Sequence, residues 1–343
     1  MRGRRQVVAT VAVALMAAAA LPGCASAEKA APGEVVIYTS VDQVYAEPVL
    51  ADFEAETGIR VRAVYDAEAA KTTALVNRLV AEKARPRADV WWSGEIVQTL
   101  SLAEQGVLAE YRSPAASGIP AAFVDDAGMW TGFGGRARVL LVNENATVPT
   151  PEYVADLTDP EGQWDTERVG IADPRFGTSS THMAVLYAKD GRDRGRTFYE
   201  TVVDRGVTVL DGNGAVRDAV ASGRLDWGLT DTDDALGSVE RGDPVRIVVP
   251  DQGEGDPGAL LIPNTVALVA DGPDAEAGRA FIDWLLRPQT EQRLVEDGWL
   301  QFPVRGEPDE RLGGSARFME ADYEAAFGEL DAALADAAEI FGR

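Results

Sequence analysis

An α/β fold built from open, largely parallel sheets is what this sequence predicts, and three observations carry that expectation. Short apolar runs rich in β-branched residues alternate with segments whose apolar residues recur at helical spacing, the grammar of strands joined by crossover helices. The same grammar returns in the second half of the chain. With 343 residues, 46 % of them hydrophobic, the chain can bury two cores of ordinary domain size.

Val35-Val36-Ile37-Tyr38 reads as a buried strand that breaks at Thr39-Ser40 into a polar turn. Tyr45 to Glu56 places Val49, Leu50 and Phe53 on one helical face and stops at Thr57-Gly58. Ile59 to Tyr65 alternates as a second strand, Lys71 to Lys83 is a second helix with Leu75, Leu79 and Val80 aligned, and Ala88 to Trp92 is a third strand. Ser93-Gly94-Glu95 and a further helix follow it. Arg138 to Asn143 and Val169 to Ala172 are strands, the latter opening into the hydroxyl-rich turn Asp173 to Thr181 and a helix through Met183, Leu186 and Tyr187. Ala215 to Ser222 is a helix ended by Gly223, and Leu225 to Thr230 and Arg246 to Pro250 are strands. Asp251 to Gly258 reads as a mobile, Gly- and acid-rich loop. Leu260 to Pro263 and Val266 to Val269 are two short apolar segments leading back toward the first half. Glu276 to Leu286 and Gln289 to Glu296 are helices parted by Pro288, and the Ala-rich Phe318 to Phe341 is helical throughout.

The formal net charge of −24 becomes −27 once Arg2, Arg4 and Arg5 are removed with the leader described next. A surface this acidic excludes nucleic acid, whose phosphates need a basic face, and favours cations or ligands carrying an amine. Met1 to Arg5 is a basic start, Val7 to Leu21 an apolar run short for a membrane span, and Leu21-Pro22-Gly23-Cys24 closes it. This resembles a bacterial lipoprotein signal: residues 1–23 are cleaved, Cys24 is lipidated, and 24–33 form a small, polar tether. Cys24 is the sole cysteine, so an internal disulfide and a multi-cysteine metal site are excluded.

Candidate site chemistry gathers at strand ends. Leu229-Thr230-Asp231-Thr232-Asp233-Asp234-Ala235 sets three carboxylates and two hydroxyls at the C-terminal edge of a strand, where open α/β sheets hold ligands. Thr178, Ser179 and Ser180 fall at the first turn of a helix, where free amides and the dipole attract anions, the alternative role for one of these hydroxyls being a plain N-cap. His182, the sole histidine, is expected to pack. Trp91, Trp92 and Trp130 are expected in the core, and Arg136 and Arg138 in salt bridges to the acidic surface rather than on a ligand anion. Gly132-Phe133-Gly134-Gly135 lacks the Lys-Ser/Thr pair of a phosphate loop and leads into a strand. No Ser-His-Asp arrangement is credible with a single histidine. A metal-dependent hydrolase on Asp231, Asp233 and Asp234 is a minor alternative that lacks a general base.

Six segments, Val36 to Ser40, Phe53 to Ile59, Ala88 to Val90, Arg136 to Val139, Ala219 to Gly223 and Pro250 to Gly253, together resemble the solute-binding proteins of bacterial ABC importers. Among these the chain is most similar to the ferric-iron-binding branch, over about Glu34 to Val304. The resemblance implies a two-lobed periplasmic-binding-protein fold, type II-like, each lobe a mixed or parallel sheet flanked by helices, with the ligand cleft between lobes. Residues 34–138 with 266–304 would form the N-terminal lobe and 139–265 with 305–343 the C-terminal lobe.

Carried over, the resemblance puts Asp42, Glu95, Thr178, Ser179, Ser180, Asp233 and Asp234 on the ligand, with Asp42, Glu95, Asp233 and Asp234 as metal ligands, and the strand-end turns add Ser40, Asp231 and Thr232 as ligand residues. Asp233-Asp234 stand where the branch has adjacent tyrosines. Hard carboxylate oxygens suit ferric iron or another hard cation carried as cargo. The same acids equally suit a ligand ammonium, with Thr178 to Ser180 taking a phosphonate, phosphate or carboxylate at its other end. The expected protein is therefore not an enzyme and needs no cofactor. It is a monomer, exported to the periplasm or the outer face of the cytoplasmic membrane, which captures its ligand by lobe closure and delivers it to an ABC permease.

Overall fold

The computed structural model describes residues 33–66, 73–158, 161–297, 300, 302–305 and 316–342. The leader, Cys24 and nearly all of the tether lie outside the described residues. Strand β1 (Glu34–Thr39) runs parallel to β2 (Arg60–Tyr65) on one side and β3 (Val90–Ser93) on the other. Its Val36 and Tyr38 enter one apolar cluster, with Trp91 and Leu79, while Val35 and Ile37 enter another, with Phe53, Trp92 and Phe281. Burial on both faces explains why β1 reads as a continuous apolar run rather than an alternating one. Between the strands lie α1 (Gln43–Thr57) and α2 (Thr73–Glu82), and α3 (Val97–Glu104) follows β3. Helix α1 ends as expected, on Gly58 in the left-handed region (φ 74°) with its N–H bonded to the Glu54 carbonyl.

A long strand, β5 (Thr131–Asn143), joins this half to the next. Thr131 to Ala137 pair antiparallel with β10 (Leu261–Val269), which also pairs with β3 and with the short β4 (Leu108–Ala109). Arg138 to Asn143 instead pair with β8 (Trp227–Asp231) and β9 (Val245–Val248). Beyond β8 lie the parallel strands β6 (Val169–Ala172) and β7 (Thr208–Leu210), giving the order β2-β1-β3-β10-β5-β8-β6-β7. The second half carries α4 (Gly177–Asp190), α5 (Arg192–Asp204), α6 (Asn213–Ala221) and α7 (Thr232–Glu240). Helices α8 (Ala275–Leu285) and α9 (Pro288–Glu296) return to the first half, and α10 (Tyr323–Phe341) packs against α3, α4 and α5, so it touches both. The fold is thus the two-lobed, mixed α/β architecture expected, with β5 and β10 crossing between lobes. No described helix is long and apolar enough to cross a membrane.

The structure departs from the sequence reading at five points. Strand β5 starts at Thr131, seven residues before Arg138, because the Gly132 to Gly135 run lies inside it. Gly134 has φ 56°, and a Cβ there would meet the Leu300 side chain at 2.2 Å. The two apolar segments at 260–269 are one strand whose register slips at Pro263, a residue with no N–H to give the ladder. Helix α10 starts at Tyr323, capped by Asp322, since Phe318 bridges to Ala259 and Met319 N–H bonds the Ala259 carbonyl. Elements α5 and β7 were not anticipated: α5 is dominated by charge and buries only Gly195, Tyr199 and Val202, and β7 has three residues. The 251–258 loop is tethered, with Gln252 bonded to the backbone of Arg317 in both directions.

Candidate functional site

In the parallel run β7-β6-β8 all three strands end at the same sheet edge, so the turns that follow them converge. Ala172, Asp173, Phe176 to Ser179, Asp211 to Asn213 and Asp231 with Asp234 line one wall of an open cleft of about 490 Å³. The facing wall comes from the ends of β1 and β3, through Ser40, Gly94 and Glu95, and the crossing strand adds Arg136. Tyr45 approaches across it, its hydroxyl donating to the Asp233 carbonyl at 3.5 Å. Burial and the acids Asp233, Asp234 and Asp42 raise that phenol's pKa, so it stays protonated.

The antiparallel register sets Arg138 directly opposite Asp231, and the two side chains, each about 1 % exposed, pair at 2.5 Å. Asp231 also accepts from Thr178 Oγ1 at 2.6 Å and Asn213 Nδ2 at 2.9 Å. Burial by itself would raise the Asp231 carboxyl, but Arg138 and Arg136 outweigh it and hold it below the usual carboxylate range. Arg136 bonds Asp233 at 2.7 Å and reaches Asp231 at 3.8 Å, while Arg217 on α6 bonds Asp234 at 2.8 Å. Carboxylate oxygens of the three aspartates come within 4.8 Å of one another. Each of the three is matched by a guanidinium, so the cluster is close to neutral. A hard cation entering it would have to displace arginines.

The amide groups around the cleft are arranged differently. Helix α4 begins after Phe176 and α6 after Gly212, and neither helix has a side-chain cap. The first N–H groups of each helix have no intrahelical acceptor, and the dipole adds positive potential there. No hydroxyl of the 178–180 turn caps α4: Thr178 donates to Asp231, and Ser180 donates to the Gly177 carbonyl at 2.7 Å. Glu95 instead caps α3, accepting from Val97 and Gln98 N–H at 2.8 and 3.1 Å, and it takes the Thr181 hydroxyl at 2.8 Å from the other lobe. Its complete burial pushes its pKa up to about 7, against the pull of Thr181 and those amides.

Of the ten predicted ligand residues, Ser40, Glu95, Thr178, Ser179, Asp231 and Asp234 line the cleft. Asp42 stands at the N-cap position of α1, Thr232 Oγ1 accepts from Ala137 N–H at 3.1 Å, and Asp233 holds Arg136 behind the wall. Sequence reasoning passed over Asp211-Gly212-Asn213, Arg217 and Tyr45. The Asp-Gly-Asn turn ahead of a helix was the available signal for the first group. Trp91 and Trp92 are core residues, with no exposure, and His182 is buried at 2 %.

A cleft between two α/β lobes, walled by strand-end turns and uncapped helix N-termini, defines an extracytoplasmic solute-binding protein. The model of the bacterial extracellular solute-binding protein family matches residues 34–300, and the chain belongs to that family. It is 26 % identical over 319 residues to the iron uptake protein A1 of Synechocystis sp., covering 90 % of this chain and 86 % of that one. A Salmonella paratyphi A protein, whose name proposes it as a 2-aminoethylphosphonate-binding periplasmic protein, is 25 % identical over 255 residues, 74 % of this chain and 72 % of its own. The ferric binding protein of Campylobacter jejuni superposes with a TM-score of 0.79 at 19 % identity, covering 89 % of this chain and 99 % of that one, a likeness of fold alone. The chain is thus the substrate-binding component of an ABC importer, built like the ferric-binding proteins.

Proposed function

We propose that the cleft captures a small anionic or zwitterionic solute, a phosphonate, phosphate ester or carboxylate, and hands it to the permease by lobe closure. One observation carries this reading: the strand-end aspartates are matched by Arg138, Arg136 and Arg217, while the N-termini of α4 and α6 open uncapped into the same space. An anion there would accept from the amides of 177–179 and 213–215 and from the Ser40 and Ser179 hydroxyls. A ligand ammonium would face Asp211, which lines the same cleft. The Salmonella relative's proposed ligand, 2-aminoethylphosphonate, has this pair of charges.

Ferric iron is the second reading, favoured by the 4.8 Å approach of the three carboxylates and by the iron uptake relative. It would use Asp42, Glu95, Asp233 and Asp234, with an accompanying anion on the α4 turn. In either case the protein acts by binding rather than catalysis, and Cys24 tethers it to the membrane as a lipoprotein. The lobes are assigned as 34–138 with 266–304 and 139–265 with 305–343.

A thermal-shift screen of the processed protein after chelation tests the choice, because a ligand present at 100 times its Kd stabilises by about 2.7 kcal/mol. Aminophosphonates and phosphate esters are expected to raise the midpoint without metal. Stabilisation by ferric salts alone would overturn the proposal and establish the second reading.

A further inference from the structure

Behind the cleft wall lies a small, partly open pocket that the ligand reading does not use. It is bounded by Arg138, Ser179, His182, Tyr199 and the apolar side chains of Ile171 and Leu229. His182 is 2 % exposed and Arg138 1 %, yet neither ring nitrogen of His182 nor the Nε–H of Arg138 has a hydrogen-bond partner within the protein. Three polar atoms buried around one pocket without protein partners are costly to leave dry. Ser179 Oγ, which accepts from Arg138 Nη2 at 3.3 Å, retains its own proton to donate.

We infer that the pocket is a binding site for a single ordered water that joins Arg138 Nε–H to His182, making His182 a positioning residue for the ligand wall. The chemistry fits one water. As an acceptor it satisfies the Arg138 Nε–H. As a donor it bonds the unprotonated imidazole nitrogen, so it has the two to four partners that a buried water requires. A neutral imidazole is needed for this, and burial supplies it by lowering the His182 pKa to about 3. The consequence lies on the other face of the guanidinium. Arg138 bonds Asp231, Thr178, Asn213 and Ser179 through its terminal nitrogens, so a group that fixes Nε fixes the turns opening α4 and α6.

Diffraction from the processed protein tests the site itself: one water within hydrogen-bond reach of Arg138 Nε and a His182 ring nitrogen is expected. A pocket collapsed onto direct protein bonds, or one dry at high resolution, overturns the inference. The positioning role is read from the Arg138 Nε–H signal in nitrogen-edited NMR spectra, assigned by its disappearance in Arg138→Lys. His182→Gln keeps a donor and an acceptor and should leave that signal close to the parent's, whereas His182→Leu should shift it and speed its solvent exchange several-fold. Identical signals in both variants would overturn the positioning role. If His182→Leu fails to fold, His182→Gln and the diffraction result decide. Neither measurement needs the solute, so a failed ligand screen would count against the proposed function without touching this result.

Discussion

Replacing Asp231 with Asn isolates the strongest interaction in the site. The substitution keeps the side chain's shape and its contacts with Thr178 and Asn213 but removes the charge that Arg138 meets at 2.5 Å with both groups about 1 % exposed. Arg138 is then a buried cation whose remaining partners, Thr178, Ser179 and Asn213, are neutral. Breaking a buried pair by removing one partner costs on the order of 3–5 kcal/mol, more than the modest net value of the intact pair, because the surviving charge keeps its desolvation penalty. At about 2–4 °C per kcal/mol for a chain of this size class, Asp231→Asn should lower the melting midpoint by roughly 10 °C. Denaturant unfolding should show the same loss with an unchanged slope. The double variant Asp231→Leu with Arg138→Met, which removes both charges, should recover most of that loss. An Asp231→Asn protein within about 1 kcal/mol of the parent would refute the claim that these aspartates are committed to arginines.

Three further outcomes follow from the same geometry. Thr178→Val removes one hydroxyl bonded to Asp231 and beside the α4 amides, and it should weaken phosphonate binding about tenfold in calorimetry, in keeping with one lost polar contact. The pH dependence of stability should carry two opposed components. Glu95, raised from 4.5 to about 7, contributes stability that is full below pH 4.5 and lost as pH rises through 7; His182, lowered from 6.5 to about 3, contributes stability that is full above pH 6.5 and lost as pH falls. Because the two slopes nearly cancel between pH 4.5 and 6.5, urea midpoints of Glu95→Gln should rise with pH across that window more steeply than the parent's, and unchanged slopes would count against that burial argument. Finally, Cys24→Ala should release the exported protein from the membrane fraction; retention of the variant there would contradict lipid anchoring through that residue.

The fold was legible where local pattern and burial agree. Strands β1, β3 and β8 announce themselves because burial on both faces demands unbroken apolar runs, and α1 because its apolar stripe and Gly58 stop coincide. The crossing strand was half hidden, since glycines carry no strand signal and Gly134 is required there by its positive φ and the close approach of Leu300. Helix α5 escaped because its stability comes from packing on α4 and α10 and from Arg192 and Arg196 binding Asp336, not from an apolar stripe. In the site, the strand-end carboxylates and the 178–180 turn were readable from type and position. Their arginine partners as a set were not, because Arg138 opposite Asp231 is a fact of antiparallel register that no spacing in the chain encodes. Arg217 reaches Asp234 only through the placing of α6 beside α7.

The central claim, an anion held by uncapped helix ends beside arginine-matched aspartates, is tested most directly by titrating the chelated, processed protein with 2-aminoethylphosphonate in a calorimeter, alongside a ferric salt with and without phosphate. Metal-free, saturable binding of the aminophosphonate, weakened about tenfold in Thr178→Val, is the predicted result. Binding of ferric ion with no response to the aminophosphonate would contradict the account and return the aspartates to the role of metal ligands.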